Sequence, residues 1–305
     1  MYQEDFQIQY ILISNVAASA FTLALLLPTY FKNKLHFSSH LWKKMMAYGL
    51  PVLVAGIAFT VNEVFDKILL TQMVSKEEAG IYGACYKLAV FMTLYGTAFR
   101  MGVEPFFFSQ AKKENPQLTY AQITYYFVLL GSLILLSVVV VLPVLADLFI
   151  KNPVYHQALD IVPIVLLASF CLGVYHNLSV WYKITDRTYF GAIISSLGAC
   201  ITLCVNLYFI PLYGFWASAL ATLLAYGTMM TLSYAFGRKY YPIPYRLGRI
   251  LFYMFLSFGL ASLSYYYFDA SLAPGAALLF VFLVLITLLE YKSLKALFRR
   301  EHTHY

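Results

Sequence analysis

The stretch VNEVFDKILL, residues 61–70, places four polar side chains inside a long apolar run: Asn62, Glu63, Asp66 and Lys67. At about 100° per residue on a helix, these positions fall within an arc of about 140° and form one polar face. Two carboxylates, an amide and an ammonium on one face can bind a polar ligand. They can also satisfy one another, as Glu63 and Lys67 would at the i, i+4 spacing.

A second polar stripe follows in the next apolar segment, within an arc of about 60° on a helix. Its members are Tyr82, Tyr86, Thr93, Thr97, Arg100 and Glu104. Lys87 stands to one side of this stripe, and about 20 Å of helical rise separates it from Arg100. The two cations therefore lie at different depths. Arg100 and Glu104 have the spacing of a self-satisfying pair, whereas Lys87 has no acidic residue three or four positions away.

The apolar surroundings of these residues identify a membrane protein. The chain has 305 residues, of which 61% are hydrophobic and 11% charged, and apolar runs of about 20 residues recur along it. A charge near the membrane centre costs about 2.5–3.5 kcal/mol, so such residues normally face a cavity or a partner. The net charge of +7 lies between apolar runs and not on one soluble face, which argues against nucleic acid as a partner.

Hydropathy predicts an all-α polytopic transmembrane bundle of about nine spans, because open backbone cannot cross hydrocarbon. The predicted spans are 8–31, 45–72, 80–107, 120–145, 157–181, 188–210, 213–236, 247–268 and 274–290. The distribution of Lys and Arg predicts an outer N-terminus and a cytoplasmic C-terminus. In that orientation sixteen basic residues lie in cytoplasmic segments, and only Lys76 and Lys151 lie in loops on the opposite side.

The sequence contains little that would support catalysis or metal binding. No loop exceeds about 15 residues, and GxSxG, HExxH and P-loop motifs are absent from the sequence. His36 and His40 lack a third ligand, and the four cysteines lie in apolar runs without ligand partners. We therefore predict a protein that is not an enzyme and needs no cofactor or metal.

Three stretches taken together resemble a known superfamily. They are WKKMMAYGLPVLVAGIAFTVNEVFDKILL, then EEAGIYGACYKLA, then VNLYFIPLYGFWASALATLLAY. In this order and spacing they resemble polysaccharide flippases, the O-antigen or lipid-linked oligosaccharide translocases of the multidrug/oligosaccharidyl-lipid/polysaccharide exporter superfamily. The resemblance runs from about residue 8 to residue 240.

The resemblance implies two six-helix lobes that rock around a central cavity in alternating access. Residues 1–31 would hold the last helix of an incomplete first lobe that lacks five helices, and 45–236 would be the six-helix second lobe. A cytoplasmic amphipathic linker (32–44) would join them. A cytoplasmic loop (237–246), two additional helices (247–290) and a basic cytoplasmic tail (291–305) would follow.

The function implied is translocation of a polyprenyl-pyrophosphate-linked oligosaccharide from the cytoplasmic to the outer leaflet, for surface polysaccharide biosynthesis in a bacterial inner membrane. Lys87, Arg100 and Lys67 would attract the pyrophosphate, and Asn62, Glu63, Asp66 and tyrosines would accommodate the sugars. Membrane lipids, polysaccharide-assembly proteins or a missing N-terminal lobe would be partners.

Other functions are also compatible with these residues. A multidrug and toxin extruder of the same superfamily would use Glu63, Asp66 and Glu104 as coupling sites for protons or sodium, with the bases as their partners. A flippase for lipid-linked peptidoglycan precursors would share the chemistry. A membrane-embedded acyltransferase or glycan polymerase, and a truncated nonfunctional fragment, are further alternatives.

Overall fold

A computed structural model describes residues 7–32, 37–111 and 113–301, and everything in these ranges that forms regular structure is helical. Eight helical segments among them are long and apolar enough to cross a membrane. The prediction of an all-α polytopic bundle is therefore confirmed. Two compact units are found, one ending at Ala47 and the other beginning at Tyr48. Residues 33–36 of the predicted linker, including His36, lie outside the described residues.

The α-helices are numbered in chain order. They are α1 (Gln7–Lys32), α2 (Ser39–Met73), α3 (Lys76–Leu88), α4 (Val90–Gln110), α5 (Pro116–Val140), α6 (Leu142–Phe149), α7 (Val162–Leu178), α8 (Val180–Ile184), α9 (Tyr189–Tyr213), α10 (Phe215–Tyr240), α11 (Leu247–Ser262) and α12 (Leu272–Glu301). A 3₁₀ segment, Pro153–Ile161, precedes α7, and a π-helical turn, Leu263–Tyr267, follows α11.

The third predicted span, 80–107, is not one continuous helix, because the chain breaks at Ala89 between α3 and α4. The amide of Ala89 donates to the carbonyl of Tyr86, three residues back, and this short bond tightens the last turn of α3. Neither glycine nor proline stands at the break. Hydropathy alone therefore gave no sign of it.

Local sequence explains several helix ends. The Ser75 hydroxyl accepts a hydrogen bond from the Glu78 amide and caps α3, whose first turn carries two carboxylates that favour the positive helix end. Pro116 opens α5 after Asn115, whose φ of 53° is left-handed. Gly214 ends α9 with φ of 53°, a conformation that suits glycine, and α10 starts at the next residue.

Helix α7 forms the centre of the second unit. Nearly all of its side chains are buried, and it packs against α4, α5 and α10. Helix α10 also packs along α9, while α11 and α12 both pack on α5. The aromatic ring of Phe127 on α5 lies between α4 and α7 and stacks on Tyr95 at 4.8 Å between centroids. This arrangement leaves the polar faces of α2, α3 and α10 to meet one another.

Close packing at Gly173 of α7 gives a stability prediction. A Cβ atom at this position would lie 2.6 Å from Cζ of Phe127, a ring that is itself held by Tyr95. We expect Gly173→Ala to lower the free energy of unfolding by about 1–3 kcal/mol, measured by unfolding in detergent. Gly259→Ala is the matched control, because no atom lies within 4 Å of its Cβ position. Equal stability of the two variants would contradict this account of the core.

Candidate functional site

The polar face of α2 is turned into the protein. Asn62 and Asp66 are each 1% exposed, while Glu63 and Lys67 are partly buried. Such a face on a membrane helix requires partners, because an unsatisfied polar group in an apolar medium is costly. The partners come from helices α3, α9 and α10.

Tyrosines hold both carboxylates. The Tyr82 hydroxyl donates to Oδ2 of Asp66 at 2.7 Å, and the Tyr86 hydroxyl lies 3.3 Å from both oxygens of Glu63. Tyr226 of α10 donates a short hydrogen bond to Oε1 of Glu63. We call these five residues the tyrosine–carboxylate cluster. It presents negative charge inside a frame of hydroxyl groups and aromatic rings.

Lys67 does not pair with the Glu63 carboxylate. Its ammonium instead donates to the backbone carbonyl of Glu63 at 2.9 Å and lies 4.3 Å from the centroid of the Tyr86 ring, a cation–π geometry. Asp66 accepts from the Lys67 backbone amide at 2.7 Å. The side-chain pairing that the i, i+4 spacing allowed is therefore not formed, and Lys67 is already occupied at the edge of the cluster.

Helix α9 runs parallel to α2 in fixed register. Thr188 donates to the carbonyl of Tyr48 at 3.0 Å, and Thr202 donates to the Asn62 amide oxygen at 2.6 Å, so the same 140-residue offset holds at both levels. Asn206 lies one turn beyond Thr202 and is fully buried. Neither polar atom of its side chain has a hydrogen-bond partner in the part of the chain that the structure describes. The register places Asn206 at the level of Asp66.

Arg100 lies outside the tyrosine–carboxylate cluster. It lines a small recess of about 20 Å³ with Glu104, His176, Asn177 and Lys183. Glu104 pairs with Lys183 of α8 at 2.5 Å and not with Arg100. No hydrogen bond or ion pair of the exposed Arg100 guanidinium is found within the described ranges. The alternative in which Arg100 and Glu104 satisfy each other is therefore wrong, and Arg100 remains free to bind an anion.

The Glu104–Lys183 ion pair gives a second prediction. Both side chains are partly buried, so their interaction should exceed that of a fully exposed pair. In a double-mutant cycle of Glu104→Gln and Lys183→Gln, we expect a coupling energy of roughly 0.5–2 kcal/mol, read from unfolding in detergent. A cycle of Arg100→Gln with Glu104→Gln should show much weaker coupling. Stronger coupling to Arg100 would refute the pairing described here.

Lys87 lies apart from both groups. On α3 it is turned by about 140° from Tyr82, so it lies on the side away from the tyrosine–carboxylate cluster. There it lines a groove together with Lys151. The structure thus brings Asn62, Glu63, Asp66 and Lys67 together, and leaves Arg100 and Lys87 in two separate places.

Several partners were not foreseen from the sequence. Tyr226 and Thr202 lie within the predicted spans 213–236 and 188–210, and Lys183 lies in the predicted cytoplasmic loop between 181 and 188. Only the packing of α9 and α10 against α2, and of α8 against α4, assigns them to the sites. The described residues contain no group of three or more His, Cys, Asp or Glu side chains arranged to hold a metal ion.

Comparison with known proteins adds one match. Residues 6–109 match the family model described as polysaccharide biosynthesis protein. This segment covers about a third of the chain and contains every site residue predicted from the sequence. A search of curated proteins gives no match. Over this segment the chain is thus similar to polysaccharide biosynthesis proteins, and its apolar helices indicate a multi-pass membrane protein.

Proposed function

We propose that this protein translocates a polyprenyl-pyrophosphate-linked oligosaccharide across a bacterial inner membrane, from the cytoplasmic to the outer leaflet. The family match and the apolar helices support a membrane role in polysaccharide biosynthesis. The finer proposal rests on the guanidinium of Arg100, which has no acidic partner in the described chain, although Glu104 and Lys183 pair beside it. A cation left unpaired in a membrane helix normally serves an anionic ligand.

In this mechanism Arg100 grips the pyrophosphate, because a guanidinium presents two parallel donors to phosphate oxygens. The recess beside Arg100 has room for about one water, so the phosphate contacts the exposed side of the guanidinium. The partly buried members of the tyrosine–carboxylate cluster, Glu63 and Tyr86, offer carboxylate oxygens, a hydroxyl group and a ring face to the sugars. The other members and Asn62 are buried and hold these two in place. No bond is made or broken, so no catalytic group or cofactor is required.

Movement follows the alternating-access scheme of secondary transporters. We propose residues 45–236 as one rocking lobe, with 1–31 as part of the other, 32–44 as the linker and 247–290 as two added helices. A second lobe or a polysaccharide-assembly protein would complete the cavity wall. The binding groups of this lobe lie at two depths, which suits a headgroup that must travel.

The test is deletion of the gene in the organism of origin. We expect surface glycan to fall and lipid-linked oligosaccharide to accumulate on the cytoplasmic leaflet, detected by mass spectrometry of lipids from spheroplasts after leaflet-selective labelling. Reintroduction of the gene should reverse both effects. Normal surface glycan in the deletion strain, with no accumulated intermediate, would refute the proposal.

One observation favours a second candidate, a multidrug cation exporter. Glu63 and Asp66 have tyrosine hydroxyls and a backbone amide as donors, and no side-chain cation forms an ion pair with them among the described residues. Such carboxylates can attract an organic cation or a coupling ion. The same deletion strain distinguishes the candidates. An exporter would make wild-type cells more resistant to cationic dyes than the deletion strain, with surface glycan unchanged.

A further inference from the structure

The groove that contains Lys87 lies between the α3–α4 junction and the loop after α6. It has a volume of about 650 Å³. It forms because the 3₁₀ segment packs across α3, where the Cys85 thiol donates to the carbonyl of Tyr155 at 3.2 Å. The ring of Phe91 meets that of Phe149 edge-on at 6.4 Å between centroids. The groove is therefore a product of packing between three segments.

Among the described residues that line the groove, the charged ones are Lys87 and Lys151, and none is a carboxylate. Both lysines are exposed, and neither has a hydrogen bond or ion pair among the residues that the structure describes. Asn152 uses its side-chain oxygen to accept from the Val154 amide, so its NH₂ group is left to donate. The remaining lining is largely aliphatic and aromatic, from residues such as Leu88, Val90 and Phe91.

The position of the groove is informative. Lys151 and Lys76 are the only Lys or Arg residues in the loops that the sequence predicts to lie outside, so the general excess of basic residues in cytoplasmic loops does not account for Lys151. Lys87 lies in the last turn of α3, where a cation also favours the negative helix end. That effect explains Lys87 alone. Both lysines line one apolar-walled groove at the end of a helix. An anion that contacts both of them would explain this placement.

We propose that this groove binds the phosphate of an anionic membrane phospholipid such as phosphatidylglycerol. Two ammonium groups and the Asn152 amide would hold the phosphodiester, while Phe91 and Phe149 would contact the upper acyl chains. Lysines act as point charges, which suits a singly charged phosphodiester, whereas the forked guanidinium of Arg100 suits a pyrophosphate. The groove lies across α3 from the tyrosine–carboxylate cluster. The inference therefore does not depend on which molecule the protein transports.

The experiment measures lipid binding by the purified full chain in mild detergent. The thermal unfolding midpoint is followed during titration with phosphatidylglycerol, phosphatidylcholine or a polyprenyl phosphate, and retained lipids are identified by native mass spectrometry. We expect phosphatidylglycerol to raise the midpoint by several degrees and phosphatidylcholine to have little effect. Lys87→Gln and Lys151→Gln should each weaken phosphatidylglycerol binding about fivefold, and the double variant roughly 25-fold.

Lys76→Gln is the matched control, because Lys76 is an exposed lysine at the other end of α3 that does not line the groove. It should bind phosphatidylglycerol like the wild type. A double Lys→Arg variant at 87 and 151 keeps the charge and should retain binding, which separates lost binding from lost folding. Unchanged phosphatidylglycerol binding in the double Gln variant would overturn the proposal. Displacement of phosphatidylglycerol by an equal concentration of polyprenyl phosphate would also overturn it, since the occupant would then be the lipid carrier.

Discussion

Replacing Arg100 with glutamine is expected to reduce surface glycan by about tenfold to a hundredfold. Glutamine keeps much of the side-chain length but loses the charge and the paired donors that would grip a pyrophosphate. A hydrogen bond to a charged group contributes about 1.5–3 kcal/mol, which corresponds to that range in binding. The measurement is the amount of surface glycan in the deletion strain carrying each variant at equal protein level. Lipid-linked oligosaccharide should accumulate in proportion to the loss.

Two further variants make the Arg100 result specific. Arg238→Gln is the matched control, because it removes the same charge from an exposed arginine in the last turn of α10 that lines neither the recess nor the tyrosine–carboxylate cluster. It should leave surface glycan unchanged. Arg100→Lys keeps the charge without the fork and should give an intermediate level. If Arg100→Gln supports normal glycan export, Arg100 does not bind the substrate and the proposed mechanism loses its main support.

The helical fold was predictable because hydropathy reports directly on membrane spans. Apolar runs such as that of α12 can be read from the sequence as helices, because a single segment in lipid satisfies its own backbone hydrogen bonds only as a helix. The break at Ala89 was not predictable. It arises where the last turn of α3 tightens, and α3 packs there against the 3₁₀ segment that begins at Pro153, about 60 residues later in the chain. An interruption imposed by tertiary packing leaves no breaker residue in the sequence.

The sequence predicted the polar helix faces of the candidate sites, but it did not predict the side-chain contacts between helices. Helical geometry alone aligned Glu63 with Asp66 on α2, and the structure shows that Tyr82 and Tyr86 meet them from α3. The spacing rule also suggested that Glu104 would satisfy Arg100. Lys183, 79 residues further along the chain, takes that place instead. Spacing identifies which residues can pair on one helix, whereas the partner is decided by which helices pack together.

Removing the buried contact between Asp66 and Tyr82 is expected to lower the stability of the protein strongly. Asp66→Ala would leave the fully buried Tyr82 hydroxyl without its carboxylate acceptor and open a small cavity. We expect it to lower the free energy of unfolding by about 2–4 kcal/mol. Tyr82→Phe should cost about 1.5–3 kcal/mol, because it removes a donor from a buried carboxylate. The double variant should be less destabilised than the sum, with a coupling energy of about 1–3 kcal/mol in detergent unfolding.

Asp66→Asn then separates folding from transport at the same position. Asparagine keeps an acceptor for the Tyr82 hydroxyl but removes the negative charge, so it should unfold closer to the wild type than Asp66→Ala does. If surface glycan nevertheless falls, the charge of Asp66 acts on the substrate or on a coupling ion. If glycan is retained while Asp66→Ala loses it through instability, the carboxylate is part of the scaffold and sugar binding rests with Glu63. Tyr208→Phe, at an exposed tyrosine on α9, should change neither measurement and controls for loss of a hydroxyl. Additive effects of Asp66→Ala and Tyr82→Phe would contradict the contact itself.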